Sequence, residues 1–290
     1  VIENPASVVK ELLENSLDAK AKNITIETKG GGLGLIRIDD DGIGMKKEDL
    51  LLSIKRHATS KITSFDDLLS IKSLGFRGEA LASVAAISKM KIISSTDGET
   101  ATLIEVENGK ILKILPYSRN RGTTIEISSL FYNVPARKKF QRGASYNNLQ
   151  ISKTILNIAL GREDVSINML IDEKVKKLKA YASQDSSNLD LSKAFTLRAK
   201  DVIGDSITSF MNYVYFEEGP FRLYGLIGVP SIAKKNRSGN YLLVNKRFVQ
   251  SYMISSTIKD AYGTRLSENS FPVFAINIDI DAKFIDVNVH

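Results

Sequence analysis

Glu11, Asn15 and Asp18 are spaced i, i+4, i+7, so in a helix all three project from one face within about two turns. A helix-borne carboxylate can act as a general base, and an amide oxygen suits a hard cation. Such a pattern in isolation usually marks a solvated helix face, so its meaning depends on what lies nearby. Asp40-Asp41-Gly42-Ile43-Gly44 places a strand-end carboxylate beside two glycines that permit close backbone approach to a ligand. Leu74-Gly75-Phe76-Arg77-Gly78-Glu79-Ala80-Leu81 puts two glycines and an arginine just before a helix N-terminus, where free N–H groups and the helix dipole favour a phosphate. Gly122-Thr123-Thr124 opens a strand and offers a hydroxyl.

These residues need elements to carry them. Asn4-Pro5 reads as a helix start, with Asn4 as cap and Pro5 in the first turn. Val8, Val9, Leu12, Leu13, Ser16 and Leu17 then share one side of the helix, with Lys10, Glu11, Glu14, Asn15 and Asp18 on the other. Alternation over Asn23 to Thr28, the run Gly30 to Gly34 and the return over Leu35 to Ile38 predict a hairpin, a reading that outweighs a phosphate loop for the glycines. A helix carrying Leu50, Leu51 and Ile54 follows, then a long irregular stretch from Arg56 to Gly78 and a helix over Glu79 to Ile87. Strands are expected at Met90 to Ser94, Thr102 to Val106, Ile111 to Leu115 and Thr123 to Ile127, and helices over Asn147 to Leu160 and within Ser192 to Leu197. Ala182 to Leu191, rich in Ser, Asp and Asn, reads as a loop near a boundary. Strands over Phe221 to Val229, Tyr241 to Val244 and Phe271 to Ile280, with a helix over Met253 to Tyr262, form a second compact set.

At 290 residues the chain is about twice a typical single domain, and two cores are expected, with domains at 1–199 and 200–290. No stretch approaches the roughly 18 consecutive apolar residues of a membrane span. With no cysteine and only His57 and His290 as imidazoles, thiolate and histidine-rich metal sites are excluded, which leaves an oxygen-bound, Mg²⁺-like ion. The net charge of +7 suits a polyanionic partner without demanding one. Arg137, Lys138, Lys139 and Arg142, with Lys234, Lys235 and Arg237, are the better candidates for phosphate contacts; Lys174, Lys176, Lys177 and Lys179 read as a solvated strand. Because the first residue is Val1 and no leader precedes the helix, the chain reads as a fragment of a longer protein.

The four motifs, in this order, resemble the GHKL ATPase superfamily of DNA gyrase B, the Hsp90 chaperones, the histidine kinases and MutL. The longer strings Pro5 to Ala19, Arg56-His57-Ala58-Thr59-Ser60-Lys61-Ile62, Leu74 to Leu81 and Leu130-Phe131-Tyr132-Asn133-Val134-Pro135-Ala136-Arg137 are similar to the MutL family in its bacterial form. Tyr241-Leu242-Leu243-Val244-Asn245-Lys246-Arg247 and Asp286-Val287-Asn288-Val289-His290 resemble its second domain, so the likeness covers the chain. The resemblance implies an α+β fold: a Bergerat-type GHKL ATPase domain, a mixed sheet with helices on one face, followed by a ribosomal-protein-S5-like βαβ domain.

It also implies roles. Glu11 would be the general base, and Asn15 would hold Mg²⁺. Asp40 would accept from the adenine amino group, with Gly44 and Ala19 beside it and Thr124 as buttress. Thr59, Ser60 and Lys61 would belong to a lid, with His57 as a structural part of it, and Leu74, Gly75, Phe76, Arg77 and Gly78 would cradle phosphates. The implied activity is slow, Mg²⁺-dependent ATP hydrolysis in DNA mismatch repair. ATP binding would close a homodimer over DNA, bound without sequence preference, and hydrolysis would reset it. The implied partners are a MutS-type mismatch sensor and downstream repair enzymes, in a bacterial cytoplasm at the nucleoid and with no membrane. The competing enzyme reading is a type II topoisomerase or Hsp90-type ATPase, against which the string Phe76 to Leu81 weighs. A DNA-binding scaffold with a dead nucleotide site is the non-enzyme reading, against which Glu11 weighs. Two positions depart from the family pattern: Asp41 stands where Asn is commoner, and Lys246 where Gly is commoner. The family's lysine that reaches the γ-phosphate lies beyond the Asn288-Val289-His290 string, and its N-terminal arm lies largely before Val1.

Overall fold

A computed structural model of the chain describes residues 2–55, 80–181, 188–281 and 284. The lid and phosphate-cradle residues Thr59, Ser60, Lys61, Leu74, Gly75, Phe76, Arg77 and Gly78, and both histidines, lie outside the described residues. The chain divides into two compact units, one of residues 1–155 and 165–177 and one of 156–164 and 178–290.

The first unit is built on a mixed sheet. Its strands are β1 (Asn23–Lys29), β2 (Leu35–Asp40), β3 (Lys89–Ser95), β4 (Ala101–Glu107), β5 (Lys110–Tyr117), β6 (Gly122–Ser128), β7 (Ser166–Ile171) and β8 (Lys174–Leu178), in the spatial order β5-β4-β3-β6-β2-β1-β7-β8. β1 and β7 run parallel, whereas the pairs β1–β2, β2–β6, β3–β6, β3–β4 and β4–β5 are antiparallel. Alternation along β1 and β2 buries Ile24, Ile26, Ile36, Ile38 and Asp40 on one face and leaves Arg37 exposed on the other. The buried face receives α1 (Pro5–Asp18), whose Val8, Val9, Leu12, Leu13, Ser16 and Leu17 are all buried, as its periodicity predicts. Asn4 caps this helix: its side chain accepts from the Ser7 N–H at 2.9 Å while Ser7 Oγ receives the Asn4 N–H. The unit also contains α2 (Lys47–Leu52), α3 (Ala80–Ala85), α4 (Pro135–Lys139) and the first part of α5 (Ala144–Leu160). Lys174, Lys176 and Lys177 are exposed on β8.

The second unit takes in α6 (Asn188–Ile203), α7 (Asp205–Thr208), β9 (Met211–Glu218), β10 (Phe221–Gly228), β11 (Asn240–Val244), β12 (Arg247–Val249), α8 (Tyr252–Tyr262) and β13 (Phe274–Ile280). Its sheet order is β12-β11-β13-β10-β9, and β11 and β13 are parallel across α8, a βαβ crossover. One side of the sheet packs Tyr224, Leu226 and Ala275 against Phe195 and Ala199 of α6; the other packs Leu242, Phe274 and Ile276 against Ile254 and Ile258 of α8.

Residues 188–191 are helical rather than loop. A Ser- and Asn-rich run also opens helices, and Leu191, Phe195 and Ala199, at four-residue spacing, carry α6 onto the sheet. β7 and β9 lie in stretches where no strand was expected. Among the described residues no helix is long and apolar enough to cross a membrane.

Candidate functional site

The polar face of α1 and the ends of β2 and β6 meet around Asp40. Glu11, Asn15, Asp18 and Ala19 are partly buried on α1 and its C-cap. Asp40 closes β2 and is only 7% exposed. Its Oδ2 accepts from the Ser16 hydroxyl at 2.7 Å, and its Oδ1 accepts from the Gly42 N–H at 2.9 Å and the Thr123 N–H at 3.3 Å. Burial pushes the Asp40 carboxyl above the usual carboxylate range, and these three donors and the nearby Arg119 charge hold it back. Among the described residues Oδ2 accepts a single bond, which leaves a lone pair for another N–H donor.

Two glycines make the surroundings of this carboxylate possible. A Cβ on Gly42 would lie 2.7 Å from the Ala19 carbonyl oxygen and 3.0 Å from Asp40 Oδ1. Gly44 has φ +70°, and a Cβ there would lie 2.0 Å from the Ser95 carbonyl oxygen. Main-chain N–H groups tie down the turn: that of Ile43 donates to the Ala19 carbonyl at 2.8 Å, and that of Met45, just past Gly44, to the Ser94 side-chain hydroxyl at 2.8 Å.

The strand pleat separates the two threonines. Asp40 is paired with Thr123 and Asp39 with Thr124, so Thr123 shares the carboxylate's face and Thr124 the opposite one. Thr123 Oγ1 lies 2.9 Å from Ser94 Oγ, whereas the Thr124 hydroxyl donates to Asp39 and accepts from Arg119 Nη1 at 2.8 Å. The string Gly122-Thr123-Thr124 offers a hydroxyl in the sequence, and the resemblance singles out Thr124, because neighbouring threonines look alike until the register with β2 is known. Its partner Asp40, itself recognisable, was the signal that could have found it.

Asp41, the first departure, anchors the start of β1. Its Oδ1 accepts the Lys22 and Asn23 N–H groups at 2.7 and 2.9 Å, and its Oδ2 accepts from Asn23 Nδ2 at 2.7 Å. Burial opposes ionisation, but these donors outweigh it and lower the pKa. Among the described residues no three His, Cys, Asp or Glu side chains cluster as a metal cage.

Residues 2–119 match the family model described as histidine kinase-, DNA gyrase B- and HSP90-like ATPase, and residues 199–290 match that of the DNA mismatch repair protein C-terminal domain. DNA mismatch repair protein MutL of Clostridium botulinum is 42% identical over 291 residues, covering 100% of this chain and 42% of that protein. The chain belongs to the MutL family. MutL of Chlamydia pneumoniae is 39% identical, again over the whole chain and 48% of its own length. The chain thus spans less than half the length of the curated MutL relatives it matches.

Among solved structures, the Aquifex aeolicus MutL ATPase domain complexed with ADP aligns at a TM-score of 0.70 and 25% identity, covering 97% of this chain and 93% of that one. The N-terminal domain of a DNA repair protein aligns at 0.80 and 26% identity, covering 100% and 87%. The fold is accordingly the GHKL ATPase fold followed by the S5-like domain of the MutL family, and other GHKL members are not favoured. The Lys246 departure from the MutL pattern sits within the second unit at φ +65°, following Asn245 at φ +48° in the β11–β12 turn. Its Nζ lies 2.7 Å from Oε1 of Glu163, which is 1% exposed.

Proposed function

We propose that the chain is the ATP-binding and slowly ATP-hydrolysing part of a DNA mismatch repair protein of the bacterial cytoplasm. The observation that carries this reading is the buried Asp40 carboxylate, held by Ser16, Gly42 and Thr123 with acceptor capacity left over. A buried acceptor beside glycines that admit a flat ring suits the amino edge of adenine, and the ADP complex of the Aquifex aeolicus relative supports the same ligand class.

In this reading Asp40 accepts the exocyclic amine, with Gly44 and Ala19 alongside the base. Thr123 holds the carboxylate in place, and Thr124 acts only through the opposite face. Asn15 would offer its amide oxygen to Mg²⁺, an ion that when bound would supply positive charge to offset that of the phosphates. Glu11, one turn earlier on the same helix, orients the attacking water and takes its proton. Thr59, Ser60 and Lys61 would cover the nucleotide, and Leu74, Gly75, Phe76, Arg77 and Gly78 would cradle its phosphates.

Nucleotide binding would close two copies over DNA, with a MutS-type sensor and downstream repair enzymes as partners of the whole protein. The exposed Arg137, Lys138 and Lys139 of α4, Arg142 and Lys235 would meet DNA phosphates. Arg237 is differently placed, with its guanidinium 4.6 Å from the Tyr252 ring and 4.7 Å from the Phe271 ring.

The test is titration with ADP and a non-hydrolysable ATP analogue, with Mg²⁺, combined with a mass measurement by light scattering. Saturable binding of both nucleotides and a doubled mass with the ATP analogue alone is the expected result. Absence of nucleotide binding would overturn the reading.

A further inference from the structure

Arg119 is 13% exposed and belongs to none of the recognisable motifs. It precedes β6 and turns its guanidinium onto the sheet face opposite the Asp40 carboxylate. There Nη2 donates to the Asp40 main-chain carbonyl at 2.9 Å, Nη1 to the Ile93 carbonyl at 3.1 Å and to Thr124 Oγ1 at 2.8 Å, and Nε to the Asn120 carbonyl at 2.9 Å. Asp39 adds an ion pair at 3.6 Å. The acceptors Ile93, Thr124 and Asp40 lie on β3, β6 and β2, which are successive strands of the sheet.

The planar fork therefore joins three strands at the level where β2 ends, and one of its bonds goes to the residue whose carboxylate faces α1. Access to that carbonyl depends on Gly122, where a Cβ would lie 2.0 Å from the Asp40 oxygen. Beyond Asp40 the chain leaves the ladder through the Gly42–Gly44 turn, so few strand bonds remain to fix its backbone. A small rotation of the Asp40 peptide would swing the carboxylate away from Ser16 and Thr123.

We propose that Arg119 is the positioning residue of the adenine subsite, fixing the Asp40 main chain from behind so that the carboxylate on the front is aimed at an exocyclic amine. This rests on the adenine reading above and adds a specificity determinant to it. Arg119 touches no nucleotide; its effect passes through the Asp40 peptide.

The experiment compares the wild type, R119A, R119K and D40N by calorimetric binding of ADP and GDP, with a melting curve for each protein. R119A should weaken ADP by about tenfold, the scale of one well-placed hydrogen bond, and leave GDP nearly unchanged, so that discrimination collapses. R119K keeps the charge but not the fork, and should lose most of the same discrimination while melting near the wild type. Should R119A fail to fold, R119K decides by the same ratio. Unchanged ADP-over-GDP preference in a folded Arg119 variant, or equal loss of both nucleotides, overturns the proposal. If the wild type itself shows no ADP preference, or D40N retains it, the adenine reading fails and takes this inference with it.

Discussion

The hydroxyl of Ser16 donates to Oδ2 of Asp40 at 2.7 Å, tying the inner side of α1 to the end of β2 across 24 residues of sequence. Ser16 follows Asn15 directly, so the helix that presents the proposed base and cation ligand also aims the buried carboxylate. The groups proposed for the two ends of a nucleotide are thus held in one rigid frame.

Asp40→Asn should separate stability from binding. Folding raises the Asp40 pKa, chiefly by burial, so its contribution to stability is fully present below the unfolded value of 3.8 and is lost as pH rises through the folded value. The variant removes that buried charge. It should gain stability over the wild type on going from pH 4 to pH 7, while ADP affinity falls about tenfold because an amide N–H now faces the amine. Chemical denaturation at several pH values checks the first part and calorimetry the second; a stability difference between the two proteins that does not move in the variant's favour from pH 4 to pH 7 contradicts the account.

Glu11→Ala and Asn15→Ala should differ in kind. A carboxylate that serves the attacking water contributes little to ground-state binding, so Glu11→Ala should keep its nucleotide Kd and lose about 10²- to 10⁴-fold in kcat. Asn15→Ala should lose affinity for Mg²⁺–nucleotide itself. Paired Kd and kcat measurements decide, and near-normal turnover by Glu11→Ala would remove Glu11 from its proposed role.

What could be read from the residues, and what could not, follows the range of the forces involved. α1 was legible down to its cap because an apolar stripe of period 3.6 and an Asn-Pro start are local signals. The first hairpin was legible for the same reason. Thr123 was not distinguishable from Thr124, because the pleat alternates and only the pairing Asp40–Thr123 decides which hydroxyl faces the carboxylate. Arg119 left no trace, since three of its four hydrogen bonds go to main-chain carbonyls, which every residue carries. β7 was hidden because its partner β1 is remote in sequence.

Lys246→Gly tests the second departure. Glycine would relieve about 1 kcal/mol of left-handed backbone cost at φ +65°, yet strand the buried Glu163 carboxylate. Loss of one partner from a buried pair is the larger effect, tempered here by the half-exposed lysine and by the Arg198 charge that also acts on Glu163. A net destabilisation of about 1 kcal/mol is expected, with Glu163→Gln restoring stability in the glycine background. Urea titration of the two single variants and the double variant measures the coupling; strict additivity would show the ion pair to be energetically idle.

DNA affinity should be sequence-independent and fall steeply with salt, because the candidate contacts from Arg137, Lys138, Lys139, Arg142 and Lys235 are exposed cations. Charge-neutral variants at Lys138 and Lys139 should each lower the slope of log K against log salt by about one. Arg237→Gln should change that slope less, since its guanidinium is engaged between two rings. Titrations on unrelated duplexes check this, and a salt-independent affinity would contradict it.

The parallel pairing of β1 with β7 joins residues 23–28 to residues 166–171. During synthesis β1 and β2 leave the ribosome long before β7 does, so for roughly ten seconds at ordinary elongation rates the outer edge of β1 has no covering strand. An uncovered edge is a template for the nascent chain of a neighbouring ribosome. Glu27 and Lys29, paired at 3.2 Å on that strand, leave charge beside the edge, and charged side chains disfavour edge-to-edge joining.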